Sequence, residues 1–380
     1  MNLKPGFSRF FEAGPDRLHF AAHSHHPWPD VSFEAHQEAW LDAARLADDK
    51  WGPVFEELMP EVAGRVARII GVEGPGTIAF GPNTHSFLLR LFSCFEPPVR
   101  ILSTDGEFHS FVRQTRRWEE AGLAIVDRVP VEPFETFADR FTVEARSGSH
   151  DLVYLSQVFF DSGFVVPDLD RIVSSVPDQS TFVVIDGYHG FMAIPFDLGA
   201  VQDRAFYMAG GYKYAMSGEG VCFMHCPPGF GPRPVDTGWY AGFGQLEGGI
   251  DKVAYGSDGS RFLGATFDPS GLYRMNAVLG WLESEGLSPA EIAEHVGALQ
   301  QRFLESDVSP GELLPPLHHR RGSFLTFRTG HAGDLYRKLH ERGVVTDYRR
   351  DRLRLGFGVY HDDADVDRLV EILTTIATDR

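Results

Sequence analysis

The sequence predicts an α/β architecture, a large doubly wound domain around a mainly parallel sheet followed by a small α+β domain. Two observations predict it. Short apolar runs recur at 77–80, 99–103, 124–129, 152–155, 182–185 and 205–208, separated by segments long enough for helices. Parallel strands buried on both faces have this texture. From about Leu272 the alternation gives way to two long helical stretches, then a strand–helix–strand–strand–helix succession. No internal repeat or low-complexity tract interrupts the chain, so one continuous architecture is expected.

Taken in order, 32–48 and 60–70 read as helices, and 77–80 as a strand broken by Gly81, Pro82 and Asn83. Residues 84–95 carry Phe87, Leu88, Leu91, Phe92 and Phe95 on a 3.6-residue period, the mark of an amphipathic helix. In the second part, 273–285, 289–305, 333–342 and 363–377 read as helices, and 323–328, 344–348 and 352–357 as strands. The expected division is an N-terminal arm lining the cleft (1–30), a large domain (31–275) and a small domain (276–380). The active site is expected in the cleft between the two domains.

The 380 residues suffice for a large core. A net charge of −18 argues against nucleic acid or an anionic membrane as partner, since both demand a basic face. Cys94, Cys222 and Cys226 make neither a disulfide framework nor a zinc pattern, which suits a reducing compartment. No signal peptide or run of about 20 apolar residues is visible, so the expectation is a cytoplasmic protein without a membrane span. His23, His25 and His26 lack an accompanying acid or cysteine pattern and read as packing of the N-terminal loop, with no metal expected. His318 and His319, beside Arg320 and Arg321, read as surface.

Two positions carry the chemistry. Lys213 follows an apolar strand and sits in Met208-Ala209-Gly210-Gly211-Tyr212-Lys213-Tyr214. A lysine between a strand end and a glycine-rich turn, flanked by tyrosines, is placed in a pocket, where desolvation lowers its pKa and frees its nucleophilic form. Asp186 ends the preceding apolar run, Phe182-Val183-Val184-Ile185. An acid at the carboxyl end of a buried strand is at the ligand-binding edge of such a sheet. A lysine to form a Schiff base and a carboxylate to hold a pyridine nitrogen protonated are what a pyridoxal phosphate (PLP) enzyme needs.

Three segments extend this into a family resemblance covering nearly the whole chain. Asp186-Gly187-Tyr188-His189 is similar to an Asp-x-x-His motif, and Gly211-Tyr212-Lys213-Tyr214 to a Ser-Tyr-Lys-Tyr motif. Gly343-Val344-Val345-Thr346-Asp347-Tyr348-Arg349, leading to Leu353-Arg354-Leu355-Gly356 and Tyr360, is similar to a third. In order and together they resemble the class V aminotransferase group, with the PLP-dependent transferase fold of type I, and most of all kynureninase.

The resemblance implies PLP as cofactor, an amino-acid substrate and a homodimer with shared active sites. His189 would lie against the cofactor near its phenolic oxygen, and Phe108 would stack on the pyridine ring. Asn83 and Thr84, at a helix start, and Ser162 would hold the phosphate, although plain capping also explains Thr84. Tyr212 would reach the phosphate or relay a proton, while Trp239 and Thr266 would approach a partner's site across the interface. Arg354 would hold the substrate α-carboxylate through its bidentate fork, with Arg352 expected to point the other way along the strand.

The implied reaction is hydrolysis of a Cβ–Cγ bond, kynurenine or 3-hydroxykynurenine giving alanine and an anthranilate, with a class V aminotransferase or another PLP lyase acting on a different amino acid as alternative, and a non-catalytic PLP-binding scaffold after that. Cysteine desulfurase chemistry is disfavoured, because no cysteine follows Cys226 and a histidine follows the acid where that group has glutamine. The stretch His23-Ser24-His25-His26-Pro27-Trp28 and the loop around Trp51 depart from the kynureninase pattern, which bears on the substrate tail and not on the cofactor.

Overall fold

The computed structural model describes residues 2–229, 231–245 and 253–378. Its centre is a seven-stranded sheet in the order Ile78–Gly81, Cys222–His225, Ala205–Gly210, Phe182–Asp186, Leu152–Ser156, Val99–Thr104, Ala124–Val129. Neighbouring strands are parallel except where Cys222–His225 runs antiparallel to both of its neighbours. That strand was absent from the sequence expectation. Its four residues, Cys-Phe-Met-His, follow a glycine turn directly and have too few β-branched side chains to stand out.

The middle strands Leu152–Ser156 and Ala205–Gly210 are buried at every position, as strands covered on both faces must be. Their parallel register brings Ser156 opposite Asp186, and Asp186 opposite Met208. The carboxyl ends of three strands therefore open on one edge, which positions the site. Glycines let the loops at that edge pack tightly. A Cβ at Gly187 would overlap the Tyr207 hydroxyl, and one at Gly210 would overlap Tyr188 and the Cys222 sulfur.

The small domain is a four-stranded antiparallel sheet, Asp347–Arg349, Arg352–Gly356, Phe324–Arg328 and Glu312–Leu314, covered by Pro289–Leu304, Ala332–Glu341 and Asp363–Thr378. The expected strand at 344–348 is divided: Val344–Val345 pairs in parallel with Leu18–His19, and Asp347–Arg349 joins the sheet. Phe20 then donates to Val345 O at 2.7 Å and accepts from Gly356 N at 2.7 Å, so the N-terminal arm is stitched to the small domain and puts Leu18 and Phe20 into its core. The expected boundary at 275/276 falls inside the continuous helix Ser270–Ser284, whose Leu272, Met275, Val278, Leu279 and Leu282 all join the large core. No helix among the described residues is long and apolar enough to cross a membrane.

Gly187→Ala should cost about 1–3 kcal/mol through overpacking against Tyr207. Urea denaturation followed by circular dichroism measures it, and unchanged stability would mean that this contact is loose.

Candidate active site

Lys213 lies in the turn that follows the strand Ala205–Gly210, and the fold buries it to 5 % exposure. Its Nζ lies 2.7 Å from His189 Nε2, 4.7 Å from the Tyr188 ring centre, 5.4 Å from that of Phe108 and 5.7 Å from that of Tyr212. Burial pushes its pKa down to about 7; the Asp186 carboxylate opposes this shift, and the Arg354 charge adds to it. His189 is held well below the usual imidazole range by burial and by the Lys213 charge, so it is neutral and its Nε2 accepts from the amine. Its Nδ1 has no partner.

Asp186 is fixed from two sides. Tyr154 Oη donates to Oδ2 at 2.8 Å and the Tyr188 backbone N–H to Oδ1 at 2.9 Å. Burial raises its pKa, and these two donors oppose the rise. Tyr154 lies two residues before the end of its strand, so it faces the same side as Ser156. Beneath them Glu107 accepts from Thr104 Oγ1 (2.8 Å), Ser156 N (3.1 Å) and Ser156 Oγ (2.6 Å), and burial pushes its pKa up to about 8. Tyr154, Tyr188 and Glu107 were not singled out from the sequence. The available signal was a tyrosine inside a wholly apolar strand and an acid in a tight turn after another, each needing a buried partner.

A cavity of about 1010 Å³ opens over these groups, lined by Asp186, Tyr188, His189, Tyr212 and Lys213, with Phe108 and Phe160 on one side. Asn83, Thr84 and His85 reach it at the start of the helix Thr84–Phe92. Asn83, not Thr84, supplies the cap, its Oδ1 accepting from Ser86 N at 2.9 Å. All lining residues come from 83–213, so the cavity is carved in the large domain and not in the interdomain cleft expected. Likewise the arm does not line it. It braces the lysine turn instead, with His25 stacked on Tyr212 at 5.1 Å and His26 N–H donating to Tyr212 O. His23 is wholly buried between Phe324 and Asp347.

Two further placements differ from expectation. Ser162 is 1 % exposed, its Oγ accepts from Phe164 N at 3.3 Å, and it does not reach the cavity; the tight turn at 159–164 folds it inward. Arg352 does not point away from Arg354. Residues two apart in a strand share a face, and the two guanidinium groups donate side by side to the carbonyls of Asp161 and Phe160. Trp239 Nε1 donates to Thr266 Oγ1 at 3.1 Å, and the pair lies exposed, away from the cavity of its own chain. His318 is exposed, while His319 is half-buried against the Phe164 ring.

Arg354 is 3 % exposed, with its guanidinium 5.8 Å from the centre of the Phe160 ring. Antiparallel register puts Asp347 directly opposite it, and the carboxylate takes Arg354 on one oxygen and Arg349 on the other. The Arg354 Nε has no partner.

Comparison with known proteins places this geometry. Over 96–99 % of its length the chain superposes on C-DES, a cystine C–S lyase in complex with cysteine persulfide (TM-score 0.80, 18 % identity, 98 % of that chain), and on the cysteine desulfurase CsdA of Escherichia coli (TM-score 0.81, 17 %, 97 %). It also superposes on a C-DES mutant with glycine covalently linked to its PLP cofactor (TM-score 0.82, 17 %, 99 %). The fold is that of the class V, fold-type-I PLP enzymes. Residues 298–373 match the kynureninase C-terminal domain, and the chain is 26 % identical to the kynureninase of Deinococcus radiodurans over 353 residues, 87 % of this chain and 80 % of that one. In sequence the chain is similar to kynureninase.

Asp347→Ala would leave the buried Arg354 charge without its carboxylate. We expect a loss of about 3–5 kcal/mol in a denaturant titration, with Asp347→Asn milder because an acceptor oxygen remains. Equal stability of the alanine variant and the parent would show that Arg354 is solvated.

Proposed function

We propose that this chain is a PLP-dependent enzyme acting on an α-amino acid, by hydrolysis of a Cβ–Cγ bond in a γ-oxo amino acid such as kynurenine or 3-hydroxykynurenine. One observation carries the reading: a buried lysine with a pKa near 7 stands on a cavity floor, hydrogen-bonded to a neutral histidine, with a clamped carboxylate on the adjacent strand.

The residues suit the cofactor. Asp186 lines the cavity with its carboxylate pinned, ready for a pyridinium. His189 keeps an unpartnered Nδ1, Phe108 offers a ring wall, and the first turn of the Thr84–Phe92 helix offers backbone donors for a phosphate. PLP, when bound, supplies the electron sink that makes an amino acid's Cα–H acidic.

In this reading Lys213 takes the Cα proton and returns it elsewhere, a role that its pKa suits because both forms of the amine coexist near neutrality. His189 receives and orients the Lys213 amine. Tyr212, whose hydroxyl burial raises to about 12, stays protonated and can donate. Arg354 holds the α-carboxylate. Its Nε and the second N–H of each Nη are not taken by Asp347 and Phe160 O. Water adds its oxygen to the γ-carbonyl carbon, the Cβ–Cγ bond breaks, and Cβ takes a proton. The products are alanine and the carboxylic acid of the former γ-carbon. Trp239 and Thr266, exposed together, would meet the site of a second copy, making the functional unit a homodimer.

Class V aminotransfer, or another PLP lyase activity, is the second reading, favoured by the likeness to a C–S lyase. Desulfurase chemistry by a cysteine nucleophile is disfavoured by the thiols present. Burial pushes Cys94 and Cys222 up to about 12 and Cys226 higher still, whereas a nucleophilic cysteine needs a lowered pKa.

Capture of PLP by the cofactor-free protein tests the lysine. Only the neutral amine attacks, so the capture rate should rise through about pH 7, some three units below an ordinary lysine. Borohydride reduction and peptide mapping should place the label on Lys213. A midpoint near 10, or a label on another lysine, would refute the assignment. For the reaction, purified holoprotein should release alanine and an anthranilate from kynurenine or 3-hydroxykynurenine. Keto-acid formation without alanine would move the assignment to aminotransfer.

A further inference from the structure

The far wall of the cavity is more basic than a cofactor and an amino-acid backbone require. The outer face of the helix His109–Glu120 lines the cavity, with Arg113, Arg116 and Arg117 among its residues. Their spacing makes one continuous stripe, and Phe111, Thr115 and Trp118 bury the opposite face. Three arginines thus stand on one wall of a chain whose net charge is −18.

These charges are not spent on neighbours. Arg117 has Glu120 at 3.7 Å, but Arg113 and Arg116 have no hydrogen bond or ion pair among the described residues. Cations also approach from the small domain. The turn Arg350-Asp351 joins two strands with Arg350 at φ 55°, and His109 is held below its ordinary pKa by burial and then by Arg349, Arg350 and Arg354. Arg350 likewise has no acidic partner among the described residues.

We propose that the substrate is an α-amino acid whose side chain ends in an anionic group, bound by Arg113 and Arg116. This rests on the PLP amino-acid reading and parts from kynurenine, whose tail is neutral, in favour of a substrate with an anionic tail. Arg354 takes the α-carboxylate behind Phe160, and the arginine stripe takes the other end. Arg113 and Arg116 lie five and eight residues beyond Phe108, roughly 8–12 Å along the helix axis, so the side chain spans several atoms from the lysine to its charge. In the Cβ–Cγ reaction the acid product would then carry two acidic groups. The stripe disfavours cationic side chains by repulsion and favours an anionic tail over a neutral one.

The test uses holoprotein and three amino acids, 2-aminoadipate, O-phosphoserine and norleucine, with binding read by calorimetry and by the change in cofactor absorbance. The two anionic compounds separate a carboxylate terminus from a phosphate, and norleucine supplies a chain of similar length without charge. We expect at least one anionic compound to bind about tenfold or more tightly than norleucine, with the advantage shrinking as salt rises. In the double variant Arg113→Gln/Arg116→Gln the ratio should fall to near one.

Equal binding of all three compounds, or an undiminished ratio in the variant, would overturn the proposal. So would a variant that loses affinity for PLP itself, which would assign the arginines to the cofactor phosphate. A variant that changes only oligomeric state would overturn it too, assigning them to an acidic surface of a second copy. If no amino acid alters the cofactor absorbance of wild-type holoprotein, the amino-acid reading itself fails and takes this proposal with it.

Discussion

Burial of the Lys213 amine against the nearby Asp186 carboxylate is the interaction on which the rest of the site depends. Desolvation alone would drive a lysine far below neutrality, and an adjacent carboxylate alone would hold it fully charged. Here the two oppose each other and leave the amine near pH 7. Relative to an exposed lysine this raises the neutral fraction at that pH by about three orders of magnitude. The balance has a second side: burial raises the Asp186 pKa, and hydrogen bonds from the Tyr188 backbone and from Tyr154, with the Lys213 charge, oppose that rise. Parallel pairing supplies the geometry, since adjacent strands end side by side and present the acid and the lysine turn at one edge.

Keeping the amine dry is a task shared by the whole molecule. Gly187 and Gly210 allow Tyr207, Tyr188 and the backbone to close beneath the site. The N-terminal arm closes the side of the lysine turn through His25 and His26, while its own strand belongs to the small domain. The small domain therefore cannot shift without pulling on the segment that packs against Tyr212. Its other contribution is electrostatic. Arg354, tied to Asp347, sits behind Phe160 and pushes the Lys213 pKa downward from a distance. One domain thus supplies the cavity and its lysine, and the other supplies a cation that tunes it.

Much of this was legible in the sequence, for reasons that also explain what was not. The apolar runs at 182–185 and 205–208 marked buried parallel strands, and their ends fall within two residues of the observed ones. Lys213, Asp186, His189, Tyr212 and Phe108 do converge on one cavity, because each lies within a few residues of a strand end or helix start. Contacts set by tertiary register were not legible. That Asp347 faces Arg354 depends on a two-residue turn at 350–351, and that Tyr154 reaches Asp186 depends on the pairing of strands thirty residues apart. Ser162 failed for a similar reason, since its turn could face the cavity or the core and the chain path alone does not decide. Arg352 failed by arithmetic, as residues two apart along a strand project together.

The geometry also separates what one fold holds in common from what distinguishes its members. The lysine, the acid and the helix start lie at the carboxyl edge of the sheet, where any chain of this topology must place a cofactor. Chains with 16–18 % identity share that frame while carrying names that point to different reactions, so the frame cannot choose the substrate. The choice falls to side chains farther along the cavity, on the helix His109–Glu120 and on the turn at 350–351, where substitution leaves the sheet untouched. These are exposed, and charge there costs little stability. A basic wall on an acidic protein is therefore cheap to keep, and it stands where a side chain entering the cavity must pass. Chemistry resides at the rigid strand ends and selectivity on the accessible helix face, which lets the second vary without disturbing the pKa balance on which the first relies.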